Sequence, residues 1–442
     1  MKKVISLVSK PVRYLGREIN AARKDPARSR LRFCLAFPDT YEVGMSHLGI
    51  QVLYHIVNRR EELSCERAFA PWVDMENVMR ERGIPLSSLE SSTPLAEFDI
   101  VGFSLQYELS FTNVLNMLDL AGIPLLSKER DDRFPLVIAG GPSAFNPAPV
   151  ADFFDAIVIG DGEEAIIEVC EQALKVKEAG GRREDLLQLL SELEGLYVPS
   201  LHTEERRIRK RIVPDLDLVP YPTCPIVPYM KVVHDRLSLE IARGCKRGCR
   251  FCEAGFIHRP YRERSPEMIQ EILADSLKKT GYEEFSLLSL SAGDYSSIGP
   301  LLSSLMDRFE SERVAASFPS LRIEGGIGYL AEQVRRVRKT GFTVAPEAGT
   351  DRLRRVINKE VDEEVLLQGV RDLYGMGWRN IKLYFMIGLP TEKDEDLRGI
   401  IALARKLSDL GSRQKVRPNL SVSVSTFVPK PHTPFQWESQ IP

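Results

Sequence analysis

Short apolar runs alternate along the chain with stretches of helical apolar spacing, and glycine- or proline-bearing loops separate them. Leu31–Phe37 reads as a strand, Pro38–Gly44 as a loop and Leu48–Val57 as a helix. Phe98–Ser104 is a second strand, followed by a helix from about Ser110 to Leu120. Leu136–Ala139 is a third and ends in Gly140-Gly141-Pro142. A fourth, Ala156–Ile159, ends in Gly160-Asp161-Gly162-Glu163 before a helix over Ala165–Ala173. Such alternation predicts a mainly parallel sheet with helices on both faces. Ligands of these sheets bind beyond the carboxyl ends of the strands, where the glycines fall.

After Gly180–Glu194, a polar and helix-prone spacer, Glu204–Arg211 is a charged run read as a solvated strand or turn. Five prolines between Pro214 and Pro228 preclude a helix and predict an extended connector. The alternation then starts afresh. Strands are predicted at Leu237–Ala242, Phe285–Ser291, Ala315–Ile323, Phe342–Ala345, Ile381–Ile387 and Leu420–Phe427. Helices fit between them at Pro266–Lys279, Ser297–Glu310, Gly328–Lys339, Asp362–Gly375 and Asp394–Leu410. Six strand–helix steps make a partial (β/α)6 barrel, with chemistry expected at the carboxyl ends of its strands. The expected division is a basic extension over 1–30, a Rossmann- or flavodoxin-like α/β domain over 31–180, a Pro-rich connector over 181–228 and the barrel over 229–442.

Composition narrows the function. A formal net charge of −2 over 442 residues gives no global case for nucleic acid or an anionic membrane. Ten Lys/Arg between Lys2 and Arg32 could touch RNA or an acidic partner, but a solvated leader is the commoner fate of such a run. No apolar run reaches the length of a membrane span, and no Walker A sequence occurs. Seven cysteines, an odd number, argue against a disulfide framework and for a reducing, cytoplasmic setting.

Three of those cysteines lie in Arg243-Gly244-Cys245-Lys246-Arg247-Gly248-Cys249-Arg250-Phe251-Cys252, directly after the apolar run Leu237–Ile241. Three thiolates on so short a loop can meet one face of an iron–sulfur cube and leave one iron without a protein ligand. A zinc site lacking its fourth ligand, or buried cysteines that happen to cluster, would use the same spacing.

This loop, with the aromatic Phe251 before its third cysteine, resembles that of the radical S-adenosylmethionine (SAM) enzymes. Other strand ends resemble the family's SAM motifs in the right order. Ser291-Ala292-Gly293-Asp294 corresponds to the motif for the methionine amino group, with Asp294 where many members have glutamate. Ser320-Leu321-Arg322 and Pro346-Glu347-Ala348-Gly349-Thr350 correspond to ribose-contacting positions, and Gly388-Leu389-Pro390 to the turn that admits adenine. The resemblance implies a [4Fe-4S] cluster on Cys245, Cys249 and Cys252, and SAM against Phe251, Gly293, Asp294, Ser320, Arg322, Glu347 and Gly388.

In the first half, Phe103-Ser104-Leu105, Ala139-Gly140-Gly141-Pro142 and Val158-Ile159-Gly160-Asp161-Gly162-Glu163 resemble the cobalamin-binding domain that precedes many radical SAM cores. That resemblance implies a loop under the corrin ring carrying Thr40, Tyr41 and His47. It also implies a tail groove lined by Ser104, Leu105, Gly140, Gly141, Gly160 and Gly162. Members that ligate cobalt through histidine carry Asp-x-His-x-x-Gly; here Met45-Ser46-His47-Leu48-Gly49 lacks the aspartate and the glycine spacing. His47 is therefore expected to pack or hydrogen-bond at the start of its helix and to leave the lower face of cobalt free.

Over nearly its whole length the chain resembles the substrate-unassigned cobalamin-binding radical SAM proteins. Its end, Phe427–Phe435, is also similar to the methylthiotransferase-related ones. The resemblance implies reductive cleavage of SAM to a 5′-deoxyadenosyl radical, most often followed by C-methylation from cobalamin. A non-methylating rearrangement, an enzyme without cobalamin, and a zinc- and RNA-binding module remain alternatives. It also implies a flavodoxin- or ferredoxin-type electron donor. Arg243, Lys246, Arg247, Arg250, Arg259, Arg262 and Arg264 are candidates to steer that donor or to neutralise the cluster.

Overall fold

The computed structural model describes residues 2–25, 28–203, 206–317, 327–338, 341–359, 361–414 and 417–441. By its contacts the chain divides into two compact units. One is Met1–Asp235 with Ala274–Thr280, and the other is Arg236–Leu273 with Gly281–Pro442.

The first unit is built on a six-stranded sheet. Its strands are β1 (Leu31–Phe37), β2 (Leu63–Phe69), β3 (Ile100–Ser104), β4 (Leu136–Gly140), β5 (Ala156–Val158) and β6 (Leu196–Tyr197). The spatial order is β2-β1-β3-β4-β5-β6, parallel except for β6. The first five follow the flavodoxin-type doubly wound order, whose ligand crevice lies where the winding reverses, at the carboxyl ends of β1 and β3. Helices α1 (Tyr41–Gly44), α2 (Leu48–Asn58), α3 (Val73–Arg82), α4 (Phe111–Ala121), α5 (Gly162–Glu178) and α6 (Arg183–Ser191) fill the connections. Alternate residues of β1 feed two cores. Leu31, Phe33, Leu35 and Phe37 pack with α2, α5 and α6, and Cys34 and Ala36 pack with α3 and α4. The second core also takes Val4, Val8 and Tyr14, so part of the expected basic leader is packed rather than solvated.

Two three-stranded parallel sheets form the second unit. β7 (Leu237–Glu240), β10 (Glu284–Leu288) and β11 (Ala315–Ser317) pair in that order. β12 (Phe342–Glu347), β13 (Asn380–Ile387) and β14 (Asn419–Thr426) form the other. Between β7 and β10 lie a small ribbon, β8 (Ala242–Arg243) with β9 (Arg262–Glu263), and helices α7 (Ala254–Ile257) and α8 (Pro266–Thr280). α9 (Ile298–Phe309), α10 (Ile327–Val334), α11 (Asp351–Val356), α12 (Glu363–Gly375) and α13 (Asp394–Arg413) make the remaining crossovers. This is a partial (β/α)6 barrel, and the alternating burial of β13, with Ile381, Leu383 and Phe385 inside, shows one sheet face covered.

β2 is buried along its whole length although it contains Ser64, Glu66 and Arg67. Burying a guanidinium requires opposite charge and hydrogen bonds in place. Arg67 meets Glu18 at 2.8 Å and Glu90 at 2.7 Å, and lies over the Tyr54 ring at 5.3 Å. Burial pushes the Glu18 carboxyl up, but the charge and hydrogen bond of Arg67, with further donors, hold it below its ordinary value. At Glu90 burial wins, and the carboxyl lies above its ordinary value despite Arg67. Because Glu18 also accepts from the Tyr41 hydroxyl at 2.9 Å, the network ties the N-terminal segment to the sheet and to α1. Arg67→Met should therefore cost about 3–5 kcal/mol by stranding two carboxylates. Combining Arg67→Met with Glu18→Gln and Glu90→Gln should recover most of it. Urea midpoints measure both, and a single variant as stable as the parent would contradict the account.

Candidate active site

The turn after β7 carries the three cysteines, and the backbone around it is held from several sides. Gly244 has φ +86°, and a Cβ there would come within 2.6 Å of the His258 carbonyl and 2.8 Å of the Pro260 carbonyl. Only glycine fits so close a crossing. Further along, the Arg250 amide donates to the Ile357 carbonyl at 2.9 Å and its guanidinium to the Val356 carbonyl at 2.6 Å. Asn358 Nδ2 donates to the Gly248 carbonyl at 2.8 Å, and the Phe435 amide to the Arg250 carbonyl at 3.3 Å. The loop therefore rests on the C-terminal end of α11.

Cys245, Cys249 and Cys252 are part-exposed, and none is in a disulfide. The Arg247 amide points to the Cys245 sulfur at 3.4 Å. Burial raises the Cys252 thiol; the Gly255 amide opposes this, Cys249 and Cys245 add to it, and the Lys359 ammonium opposes it. Among the described residues no three His, Cys, Asp or Glu side chains gather as a site for a metal ion. The donor set suits a cube, in which each thiolate meets its own iron, and three soft ligands on one loop leave a fourth iron open.

The residues expected to hold SAM come to this loop from three other strand ends. Asp294, in the turn after β10, pairs with Arg247 at 2.9 and 2.5 Å. Its neighbour Gly293 looks into open space. Glu347, the last residue of β12, has φ +66° and pairs with Lys359 at 3.3 Å. Phe251 packs against the small core of Ala348, Leu353, Ile357, Leu389, Phe427 and Phe435, which joins the loop to the turns after β12 and β13. The Gly388 amide donates to Glu392 at 2.6 Å. Burial raises the Glu392 carboxyl, the Gly388 amide lowers it, and Asp396 adds to the rise. Ser320 and Arg322 lie outside the described residues.

Two contributors escaped sequence reading. Asn358 (φ +53°) and Lys359 follow α11; Asn358 reaches back to the cysteine loop and Lys359 pairs with Glu347. The usable signal was an Asn in left-handed conformation just past a helix end, a known stop position.

In the first unit, the positions expected to bind cobalamin divide into open and closed ones. Thr40, Ser104, Gly140 and Gly162 keep some exposure. Tyr41 instead turns inward to Glu18, and Leu105 is fully buried. Gly141 (φ +106°) and Gly160 (φ +118°) are part-exposed as well, and each also lies close against the chain's own backbone. A Cβ at Gly141 would meet the Leu105 carbonyl at 2.6 Å, and one at Gly160 the Arg211 carbonyl at 2.2 Å. The charged run ending at Arg211 thus closes on β5 through backbone bonds to Ile159 and Asp161. His47 begins α2 without capping it; its ring packs on Phe37 at 5.7 Å and bonds to the Gln106 side chain. Its Nδ1 is buried and has no partner among the described residues.

Most cations near the cysteine loop are already engaged. Arg243 pairs with Glu240 at 2.9 Å, Lys246 with Glu263 at 3.5 Å, and Arg262 and Arg264 are buried. Lys246, Arg250 and Arg259 keep exposed side chains.

Residues 239–404 match the family profile described as "Radical SAM superfamily", and residues 49–199 that of "Radical SAM proteins, N-terminal". The chain is a radical SAM enzyme. It is 28% identical over 409 residues to an uncharacterized protein of Methanocaldococcus jannaschii, covering 91% of this chain and 79% of that one. It is 26% identical over 187 residues to the tRNA-2-methylthio-N(6)-dimethylallyladenosine synthase of Pelotomaculum thermopropionicum, covering 39% of this chain and 40% of that one. Among solved structures, the fold is similar to the radical SAM methyltransferase TsrM of Kitasatospora setae, bound to cobalamin and a [4Fe-4S] cluster. The TM-score is 0.65 at 15% identity, over 93% of this chain and 74% of that one. The cobalamin-dependent enzyme OxsB, bound to aqua-cobalamin and SAM, superposes with a TM-score of 0.61 at 13% identity, over 92% and 60% of the two chains. No helix among the described residues is long and apolar enough to cross a membrane.

His47 offers a pH test of its environment in this radical SAM enzyme. Burial lowers its pKa from 6.5 to about 4. Between those values the unfolded chain takes a proton that the folded chain refuses, so stability falls as pH drops from 6.5 toward 4. The loss attributable to His47 should be about 2–3 kcal/mol. Urea unfolding at pH 7 and pH 4.5 should show a shallower decline for His47→Gln than for the parent. Equal declines would contradict a buried, neutral imidazole.

Proposed function

We propose that this enzyme carries one [4Fe-4S] cluster on Cys245, Cys249 and Cys252, binds SAM at the fourth iron, and cleaves it reductively. The single observation that carries the reading is the cysteine loop itself, pinned by its backbone while its three cysteines stay part-exposed at the carboxyl end of a barrel strand. The chemistry a bound cluster supplies is one electron to the SAM sulfonium, giving methionine and a 5′-deoxyadenosyl radical able to take hydrogen from carbon. The chain's own residues would hold and orient. Glu347 and Gly388 lie on the turns around the loop, and Gly293 leaves room beside Asp294. Phe251 and its apolar cluster keep one side of the loop dry.

Cobalamin-dependent C-methylation is the finer reading. It is supported by the flavodoxin-type first unit and by likeness to two structures that contain cobalamin. The part-exposed residues that would hold cobalamin are Thr40, His47, Ser104, Gly140 and Gly162, with Gly141 and Gly160 beside them against the chain's own backbone. The bound group would supply a transferable methyl. A flavodoxin- or ferredoxin-type donor is the partner this chemistry requires, and Lys246, Arg250 and Arg259 present exposed cations to it. Seven cysteines outside disulfides agree with a cytoplasmic setting.

The test is anaerobic reconstitution of the parent and of a variant with all three loop cysteines changed to alanine. The parent should bind four irons and form 5′-deoxyadenosine from SAM with dithionite or reduced flavodoxin. The variant should stay folded and lose at least about a hundredfold of that product, an order-of-magnitude figure. Corrin absorption bands after incubation with hydroxocobalamin and desalting report the finer reading. Full iron content in the variant would defeat the cluster assignment. Product with dithionite but none with reduced flavodoxin or ferredoxin would defeat the donor, and absence of corrin bands would defeat cobalamin.

A further inference from the structure

β14 is an edge of its sheet, and it differs from other edges of the chain. Strand edges offer unpaired amides and carbonyls, and folded chains blunt them with charge, proline, short length or a cover. β2 is buried along its length, β6 and β7 have two and four residues, and β12 carries Pro346, Glu347 and a break in register. β14, Asn-Leu-Ser-Val-Ser-Val-Ser-Thr, has eight residues without charge or proline, and it pairs with β13 in unbroken register. No described strand pairs with its other side. Val422 is 42% exposed and Val424 48%, and most of the strand's other residues are exposed as well. The Asn419 amide donates to the Arg379 carbonyl and the Phe427 amide to the Ile387 carbonyl, each at 2.8 Å. Because a strand alternates residue by residue, the amides and carbonyls of Leu420, Val422, Val424 and Thr426 turn the opposite way, to the open side.

We propose that β14 pairs with the β14 of a second copy of this chain, antiparallel about a two-fold axis at Ser423. The occupant follows from the strand's own sequence, which from Ser421 to Ser425 reads Ser-Val-Ser-Val-Ser in both directions. Around that axis Ser423 meets itself, Val422 meets the partner's Val424, and Ser421 meets the partner's Ser425. The same register satisfies the backbone. Opposed residues of an antiparallel pair exchange hydrogen bonds where their amides face each other, and Val422 and Val424 both face outward. The valines fall on one face of the joined sheet as β-branched pairs and the serines on the other, with no like charges to repel. Identical surfaces related by a two-fold close on themselves, so assembly stops at two copies.

The experiment is sedimentation velocity of the full chain across a concentration series, with far-ultraviolet circular dichroism to check folding. The parent should pass from the 49.9 kDa chain to twice that mass and no further. Val422→Lys combined with Val424→Lys opposes like charges across the axis and should weaken dimerisation at least about tenfold. Val422→Lys combined with Val424→Glu opposes unlike charges in this register and should restore it. If the double-lysine variant does not fold, Ser423→Cys gives the decision. Directly opposed, non-hydrogen-bonded residues of an antiparallel pair lie at a Cα spacing that a disulfide spans. Mild oxidation should therefore link position 423 of one copy to position 423 of the other, identified by peptide mass. A parent that stays monomeric, a dimer indifferent to the two lysines, or no rescue by the lysine–glutamate variant would each overturn the pairing. So would the absence of that link in Ser423→Cys, or masses that grow beyond two copies.

Discussion

The constraint on which the second unit depends is that the cysteine loop must be rigid without using its sulfurs. A loop packed by its thiols would have none to offer a metal. Here rigidity comes from bonds to the loop's main chain instead: Arg250 to Ile357, Phe435 to Arg250, and the Asn358 side chain to Gly248. Gly244 allows the crossing with the His258–Pro260 segment, and Phe251 fastens the far side to an apolar cluster. Two of these ties reach the end of α11, and the third reaches the C-terminal segment at Phe435. The loop, the Glu347 turn and the Gly388 turn are therefore one packed body, and a ligand over the loop meets groups whose positions are already set.

The first unit solves a different problem. Its sheet buries charged side chains in β2, and the cost is offset by a closed network around Arg67 that also captures the N-terminal segment. On the neighbouring strands two glycines that read as ligand contacts are occupied by Leu105 and Arg211 backbone. Glycine at a strand end says that something approaches closely, and at these two positions the chain's own backbone does so. Ser104 and Gly140, at the carboxyl ends of β3 and β4, keep partial exposure.

Much of the fold was legible because burial is written in apolar runs. β1 matches its predicted limits, Leu31–Phe37, since nearly every residue of it is buried and apolar. β2 was invisible for the opposite reason: Ser64, Glu66 and Arg67 break the pattern, and their partners Glu18, Ser88 and Glu90 lie far off in sequence. The short α11, Asp-Arg-Leu-Arg-Arg-Val, is not among the predicted helices, and Arg354 inside it is buried against Asp351 and the Ala348 carbonyl. The site shows the same split. Cysteine spacing announces itself locally, whereas Asn358 bonds to a residue 110 positions earlier and only the folded chain brings it and Lys359 near. The predicted cationic patch also looked stronger in sequence than in space, because carboxylates of Glu240, Glu263 and Asp294 already engage Arg243, Lys246 and Arg247.

The central claim is that three cysteines leave one iron open for SAM. Electron paramagnetic resonance of the reduced cluster, recorded with and without SAM labelled with 15N at its amino group, tests it most directly. The account predicts altered g-values on adding SAM and a nitrogen coupling that changes with the isotope, both absent without SAM. A spectrum that SAM leaves unchanged, with no coupling to its amino nitrogen, would contradict it.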